Sequence, residues 1–172
     1  MQIIQTFLKF NQLLLVIVFL PISGIALANS YGPFEVIEPS AKSELWINPG
    51  LVSYHFDQNK DFNAVNYGIG VEYKFSSTTS LTAGQYHNSY HNLTNYIGAF
   101  WQPIKVGPVQ MGFVIGGFNG YIDTNNGGWF PAVLPAFSME SQWVGLNVLV
   151  IPTIKDHVAG SIAFQLKFKV FD

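Results

Sequence analysis

The residues best suited to proton transfer are His55 and a six-residue polar segment at 87–92, His-Asn-Ser-Tyr-His-Asn. A histidine beside the Ser89 hydroxyl could act on it as a general base, with a neighbouring amide or carboxylate completing the group. Ser, Asn and His are also common in solvated loops, so composition alone does not decide between the two interpretations. The elements that position these residues therefore determine whether they can form a site.

Other patterns near these residues have simpler interpretations. His55, His87 and His91 could suggest a metal site, but there is no cysteine and no His-x-His or His-Glu pair, so we expect no metal or other cofactor. Asp57 could pair with His55 on a continued strand, or it could be a solvated loop residue. The segment Asn119–Gly128 lacks the order of a calcium loop and is typical of a turn-rich connection.

The composition is unusual for a water-soluble protein. Only 10% of the residues are charged, against about a quarter in ordinary soluble domains, and 16% are aromatic. A soluble exported protein needs a charged surface to stay dispersed. The chain has no cysteine, which excludes disulfides and thiolate chemistry, and no arginine, which argues against a nucleic-acid surface.

The first 28 residues have the pattern of a cleaved signal peptide. Lys9 precedes a short apolar run at 13–20, and a small-x-small site at 26–28 follows it. We expect residues 29–44 to be a periplasmic lead-in, because Pro33 and Pro39 break any long helix there. No later apolar run is long enough for a membrane helix, so residues 45–172 are predicted to form a transmembrane β-barrel.

Alternation of apolar and polar residues supports an all-β, antiparallel fold. In 66–75 the odd-numbered residues are apolar, and the even-numbered residues include Glu72 and Lys74. In 161–170 the even-numbered residues are apolar, and the odd-numbered residues include Gln165 and Lys167. Period-two alternation of this length predicts strands, and a barrel in lipid places the apolar face outward.

Eight strands are predicted, most of them close to the ~9–11 residues that cross a bilayer when tilted. Their predicted bounds are 45–56, 66–75, 79–88, 94–104, 108–118, 129–140, 144–153 and 158–171. Tight connections alternate with long polar ones, so the long loops are expected at the external rim and both termini in the periplasm. His55 and the 87–92 segment then lie at the same rim of a narrow lumen, where His55 and Ser89 could meet.

Prolines mark a second feature of the wall. Pro131 and Pro135 lie in one predicted strand, and Pro152 lies in the next. Proline removes a ladder donor and is rare within paired strands. These prolines predict either a side opening toward lipid or positions at strand ends.

The order of these motifs resembles the lipid A palmitoyltransferase (PagP) family of eight-stranded outer-membrane barrels, from about 46 to 171. Ser53-Tyr54-His55 is similar to the segment that carries the family's catalytic histidine. Tyr86-His87-Asn88-Ser89 is similar to its Phe-Lys-Asp-Ser motif, with 96–98 and 101–103 following at similar spacing. The prolines of 131–135 and 150–152 resemble its lateral gates.

The resemblance implies an enzyme that takes an acyl chain from a phospholipid, holds it in the lumen as a length gauge, and transfers it to a hydroxyl of lipid A. His55 would be the base, Ser89 the catalytic hydroxyl and Asn88 the third member. The family has an acidic residue where this chain has Asn88, and an amide cannot accept a proton. Separately, we infer that Gly112, Gly116 and Gly117 leave room for the acyl tail.

The sequence thus predicts a monomeric outer-membrane acyltransferase of a Gram-negative bacterium. Its partners would be phospholipid, lipid A and the membrane itself, with no nucleic acid. One alternative is a non-catalytic structural or adhesive barrel. Another is a lipid A deacylase, although the chain has no His-x-Ser-Asn run near its C-terminus.

Overall fold

Nine strands form one antiparallel sheet in the computed structural model, which describes residues 32–154 and 158–172. The predicted signal peptide, 1–28, lies outside the described residues. The strands are β1 (Phe34–Val36), β2 (Ala41–His55), β3 (Val65–Ser76), β4 (Thr79–His87), β5 (Leu93–Val106), β6 (Val109–Phe118), β7 (Phe130–Glu140), β8 (Val144–Ile151) and β9 (Ser161–Phe171).

Eight of these strands close into an up-and-down barrel. Each strand from β2 to β9 pairs with the next one along the chain, and β9 pairs back with β2. Closure removes the two outer edges of the sheet, so most backbone groups of the wall find partners on neighbouring strands. The predicted eight-stranded antiparallel barrel is confirmed, and its strand bounds agree with the prediction to within a few residues.

The connections have the two predicted lengths. Turns of two or three residues join strands at one end of the barrel, which we call the short-turn end. The longer connections 56–64, 88–92 and 119–129, and the described residues 152–154 and 158–160 of the last one, lie at the opposite end, the long-loop end. Within the described part of the chain, no helix is long and apolar enough to cross a membrane.

The predicted lead-in, 29–44, contains structure where it is described. Its strand β1 pairs with Ile104–Val106 at the short-turn end of β5, and the Ile37 amide donates to the Pro103 carbonyl at 2.8 Å. The first barrel strand already begins at Ala41, four residues before the predicted start. Strand propensity did not predict β1, because this strand forms by pairing with residues that are distant in the sequence.

The faces of the strands follow the predicted alternation. On β3, Tyr67 is 65% exposed on the outside of the barrel, whereas Glu72 is 2% exposed in the lumen. On β9, Phe164 and Phe168 face outward, and Lys167 faces inward. The outer wall is therefore apolar and the lumen contains the charged groups, the reverse of a water-soluble sandwich.

Charged side chains fill the lumen toward the short-turn end. The Lys167 Nζ lies 2.8 Å from a carboxylate oxygen of Glu72 and 2.8 Å from one of Glu140, and Lys74 also pairs with Glu140. The Asn147 amide donates to Glu72 at 2.9 Å. Buried charges are tolerated when they are paired and hydrogen-bonded in this way. We call these five residues the lumen floor.

Replacing Lys167 by methionine should destabilise the barrel strongly. The substitution keeps the apolar stem but leaves two buried carboxylates without their shared cation, so we expect the free energy of unfolding to fall by about 3–5 kcal/mol. Urea unfolding in detergent micelles measures the loss.

Lys42→Met is the matched control, because Lys42 is half-exposed and, among the described residues, its ion pair is with Glu44, at 3.1 Å. The exposed pair should contribute at most about 1 kcal/mol. Equal stability of the two variants would contradict a structural role for the lumen floor.

Candidate functional site

An apolar cavity of about 660 Å³ occupies the lumen between the lumen floor and the long-loop end. All eight barrel strands, β2 to β9, contribute side chains to its wall, so no single segment of sequence encodes it. Near its middle, Phe100, Val114 and Ala136 form a buried cluster with Leu134 and Leu149 packed against it. A cavity with such walls fits a hydrocarbon chain better than a polar ligand.

His55 and Ser89 meet at the long-loop end of this cavity. The His55 Nε2 and the Ser89 Oγ are 2.8 Å apart, and both residues line the cavity. His55 is the last residue of β2, and Ser89 lies in the loop between β4 and β5. The structure thus brings together the histidine and the serine that the sequence analysis placed at the same rim, at a distance that allows proton transfer.

A bulge in β2 directs His55 into the lumen. Between the pairs Ile47↔Phe168 and Val52↔Phe164, β2 advances by one residue more than β9 does. Even-numbered residues of β2 are buried before the bulge, whereas Ser53 and His55 are buried after it. Without the extra residue, His55 would face outward. The sequence analysis missed the bulge, although Pro49-Gly50 inside a strand was a signal for one.

Asn88, the predicted third member of the catalytic group, uses its side chain to build the loop. Its Nδ2 donates to the Thr94 hydroxyl at 3.0 Å and to the Gly120 carbonyl at 2.8 Å. Its Oδ1 accepts from the backbone amides of Tyr90 and Asn92, at 2.9 and 3.1 Å. The residue is 0% exposed. The two bonds from backbone amides hold the loop around Ser89, and the other two anchor Asn88 to β5 and to the loop after β6. None goes to His55, so Asn88 fixes the serine rather than the imidazole.

The first long loop, residues 56–64, contacts both His55 and Ser89. The Phe62 ring stacks on the His55 imidazole, with centroids 4.4 Å apart and planes at 29°. The next residue, Asn63, donates its backbone amide to the Ser89 carbonyl at 2.9 Å. Sequence reasoning missed Phe62 and Asn63, because nothing in a polar loop indicates which residues fold back onto the barrel.

Tyrosines surround the mouth of the cavity. The Tyr86 and Tyr121 hydroxyls are 2.8 Å apart. Burial, together with a hydrogen bond to the Asp123 carboxylate, raises the pKa of Tyr90 to about 12. Burial also raises the pKa of Tyr121. A tyrosine is already protonated at neutral pH, and these shifts extend that range upward, so both loop phenols can donate hydrogen bonds.

The wall is incompletely paired between β7 and β8. Their ladder joins Ala136–Glu140 to Gly145–Leu149, and the described residues 130–135 of β7 have no partners on β8. Pro131 and Pro152 line the cavity beside this gap, and so does the outward-facing Val133. The cavity therefore reaches through the wall here. Pro135 borders the gap, pairing with Phe113 of β6, but does not line the cavity.

The glycines assigned to the acyl tail have a different environment. A Cβ at Gly112 would collide with the backbone carbonyl of Trp101, and one at Gly116 would lie 2.6 Å from that of Ile97. Neither glycine lines the cavity, and Gly117 lies against the Trp129 ring instead. Gly112 and Gly116 thus permit β6 to approach β5 closely rather than widening the lumen.

Two other polar residues considered in the sequence, Asp57 and His87, do not join the His55–Ser89 pair. Asp57 is exposed and accepts from the Asn59 amide at 3.1 Å, which matches the solvated-loop alternative. His87 faces outward, with its ring 5.5 Å from that of Tyr67. Among the residues that the structure describes, no group of three or more His, Asp or Glu side chains could hold a metal ion.

Gly50→Ala should disrupt the β2 bulge. Gly50 has φ +105°, and an added Cβ would lie 2.6 Å from the Gly68 amide nitrogen, so we expect a loss of about 3 kcal/mol or more. Gly107→Ala is the control, since Gly107 also has positive φ (+54°) but nothing lies within 4 Å of the new Cβ. Backbone strain alone should cost the control about 1 kcal/mol. Similar unfolding midpoints for the two variants would contradict the close packing of the bulge.

The chain matches no protein-family model, and no curated protein matches it. Membership of the lipid A palmitoyltransferase family therefore stays a prediction from the motifs around His55, Ser89 and the prolines.

Proposed function

We propose that this protein is an outer-membrane acyltransferase that moves a fatty acyl chain from a phospholipid to a hydroxyl of lipid A. The proposal rests on the 2.8 Å hydrogen bond between His55 and Ser89 at the mouth of an apolar cavity of about 660 Å³. A nucleophile activated by a base, next to a mainly apolar cavity, suits an ester whose acyl part is a long hydrocarbon.

The pair supports a two-step transfer. His55 Nε2 takes the Ser89 proton while Oγ attacks the ester carbonyl of the phospholipid. The bond from that carbonyl carbon to the glycerol oxygen breaks, and the imidazolium gives its proton to that oxygen, leaving acyl-Ser89 and a lysophospholipid. The acceptor hydroxyl then attacks acyl-Ser89, and its proton passes through His55 back to Ser89 Oγ.

The outer wall supports insertion into a membrane. Large apolar side chains of β3, β5, β6 and β9 are exposed on it, including Ile69, Ile97, Ile115 and Val170. Such a surface is unfavourable in water and favourable in lipid. The gap between β7 and β8 gives a lipid chain a direct lateral route into the cavity, because the wall is unpaired there beside Pro131 and Pro152.

Expression in a bacterium with an outer membrane should add one acyl chain to its lipid A, detected by mass spectrometry. Ser89→Ala and His55→Asn should each lower the acylated fraction at least about a hundredfold, since each removes half of the acid–base pair. His87→Asn is the matched control because that histidine faces the outside of the barrel, and it should retain activity.

The same spectra separate the alternatives. Loss of an acyl chain would indicate a deacylase. Unchanged lipid A, with a folded barrel present in the membrane, would overturn the acyltransferase proposal in favour of a structural or adhesive barrel.

A disulfide that closes the gap between β7 and β8 should block entry of the donor phospholipid into the cavity. Cysteines at Pro135 and Val150 lie one step beyond the last β7–β8 pair, Ala136↔Leu149, and the native chain has no cysteine to compete. Oxidation should bridge them if their Cα atoms come within about 7 Å, and transfer should then fall and return on reduction. The control pair, Met139→Cys with Leu146→Cys, lies in the intact ladder and should keep its activity when oxidised. A bridged but fully active Pro135–Val150 variant would contradict the lateral route.

A further inference from the structure

The imidazole of His55 needs a partner that fixes its orientation. Its one hydrogen bond within residues 32–154 and 158–172 goes to Ser89, the group on which it would act. Asn88 does not serve this purpose, because both of its amide hydrogens are bound by Thr94 and Gly120. A reacting group must be held within about 10–20° of its productive direction. Among the described residues, packing against another aromatic ring is the interaction that can hold the imidazole in one orientation.

Phe62 provides that packing. Its ring covers one face of the imidazole, with centroids 4.4 Å apart. Phe62 also contacts Tyr90 in an edge-to-face arrangement, with centroids 5.4 Å apart and planes at 82°. Phe62 thus contacts both the base and the residue that follows Ser89. A stacked ring limits rotation of the imidazole about its χ2 bond, the rotation that would swing Nε2 away from Oγ.

Asn63 holds the serine from the same loop. Its backbone amide donates to the Ser89 carbonyl at 2.9 Å, and its Nδ2 donates to the Asn88 carbonyl at 3.3 Å. Phe62 and Asn63, which are consecutive in the first long loop, therefore contact the His55 ring and the Ser89 backbone. The relative position of His55 and Ser89 therefore depends on this one short segment.

We propose that Phe62 is a positioning residue that sets the His55 ring plane so that Nε2 points at Ser89, with Asn63 fixing the Ser89 backbone. The expected effect of Phe62 on acyl transfer rests on the proposed function, whereas its expected effect on the orientation of the His55 ring does not. The first long loop would then orient the base, a role that Asn88 does not fill because its side chain makes no bond to His55.

Phe62→Leu and Phe62→Tyr separate stacking from simple space filling. Leucine stays apolar but removes the ring, whereas tyrosine retains it. With Phe62→Leu we expect kcat for acyl transfer to fall about 10- to 100-fold with KM little changed, because the substrate cavity is intact and only orientation is lost. Phe62→Tyr should restore kcat to near the wild-type value.

Histidine-selective NMR in micelles measures the chemical shifts of the His55 ring protons, which report on stacking against Phe62. The His55 resonances are assigned by their loss in His55→Asn, and stacking on Phe62 should shift its ring protons upfield. Phe62→Leu should remove that shift, and Phe62→Tyr should keep it. Phe56→Leu is the matched control, since Phe56 is half-exposed at the start of the same loop and makes no ring contact with His55 among the described residues.

Each result decides the proposal. Unmoved His55 resonances in Phe62→Leu would overturn it whatever the activity, and moved resonances with wild-type kcat would overturn the positioning role. If wild-type protein transfers no acyl chain, the proposed function fails separately, and the His55 resonances alone then decide whether Phe62 sets the ring.

Discussion

The two-residue period of a β-strand is the constraint on which this site depends. In a closed barrel each strand residue faces either the lumen or the outside, and the faces cannot be exchanged without changing the number of residues. β2 directs Trp46 and Asn48 inward before its bulge and Ser53 and His55 inward after it. One inserted residue therefore lets the same strand supply packing at the short-turn end and a titratable group at the mouth.

The same alternation divides the lumen into two chemically different parts. Toward the short-turn end, inward positions carry Glu72, Lys74, Glu140 and Lys167, each charge paired with an opposite one. Toward the long-loop end, inward positions such as Phe100, Val114 and Leu149 are apolar. A hydrocarbon chain could extend past the lumen floor only by separating buried ion pairs, which costs several kcal/mol. Under the proposed function, the floor is therefore the natural limit on acyl-chain length.

Local patterns predicted the strands and the faces of β3 and β9, because alternation is repeated over many residues and tolerates local error. The proximity of His55 and Ser89 followed from topology, since the ends of alternate strands meet at one rim. The roles of Phe62, Asn63 and Asn88 were not predictable, because each depends on contacts between loops distant in sequence. The composition of a loop limits which residues are present but not which side chain folds back onto the barrel.

The gap in the wall follows from the chemistry of proline. The β6–β7 ladder continues through Pro131 and Pro135, which pair with Gly117 and Phe113. A proline inside an intact ladder must direct its nitrogen away from its partner strand, so both nitrogens point toward β8. If the wall lies in lipid, as proposed, an unpaired N–H there costs several kcal/mol, and a proline has none to leave unpaired. These prolines therefore lower the energetic cost of opening the barrel on the β8 side and raise the cost of closing it. The opening is a property of the sequence itself, and it lies where the cavity reaches the wall.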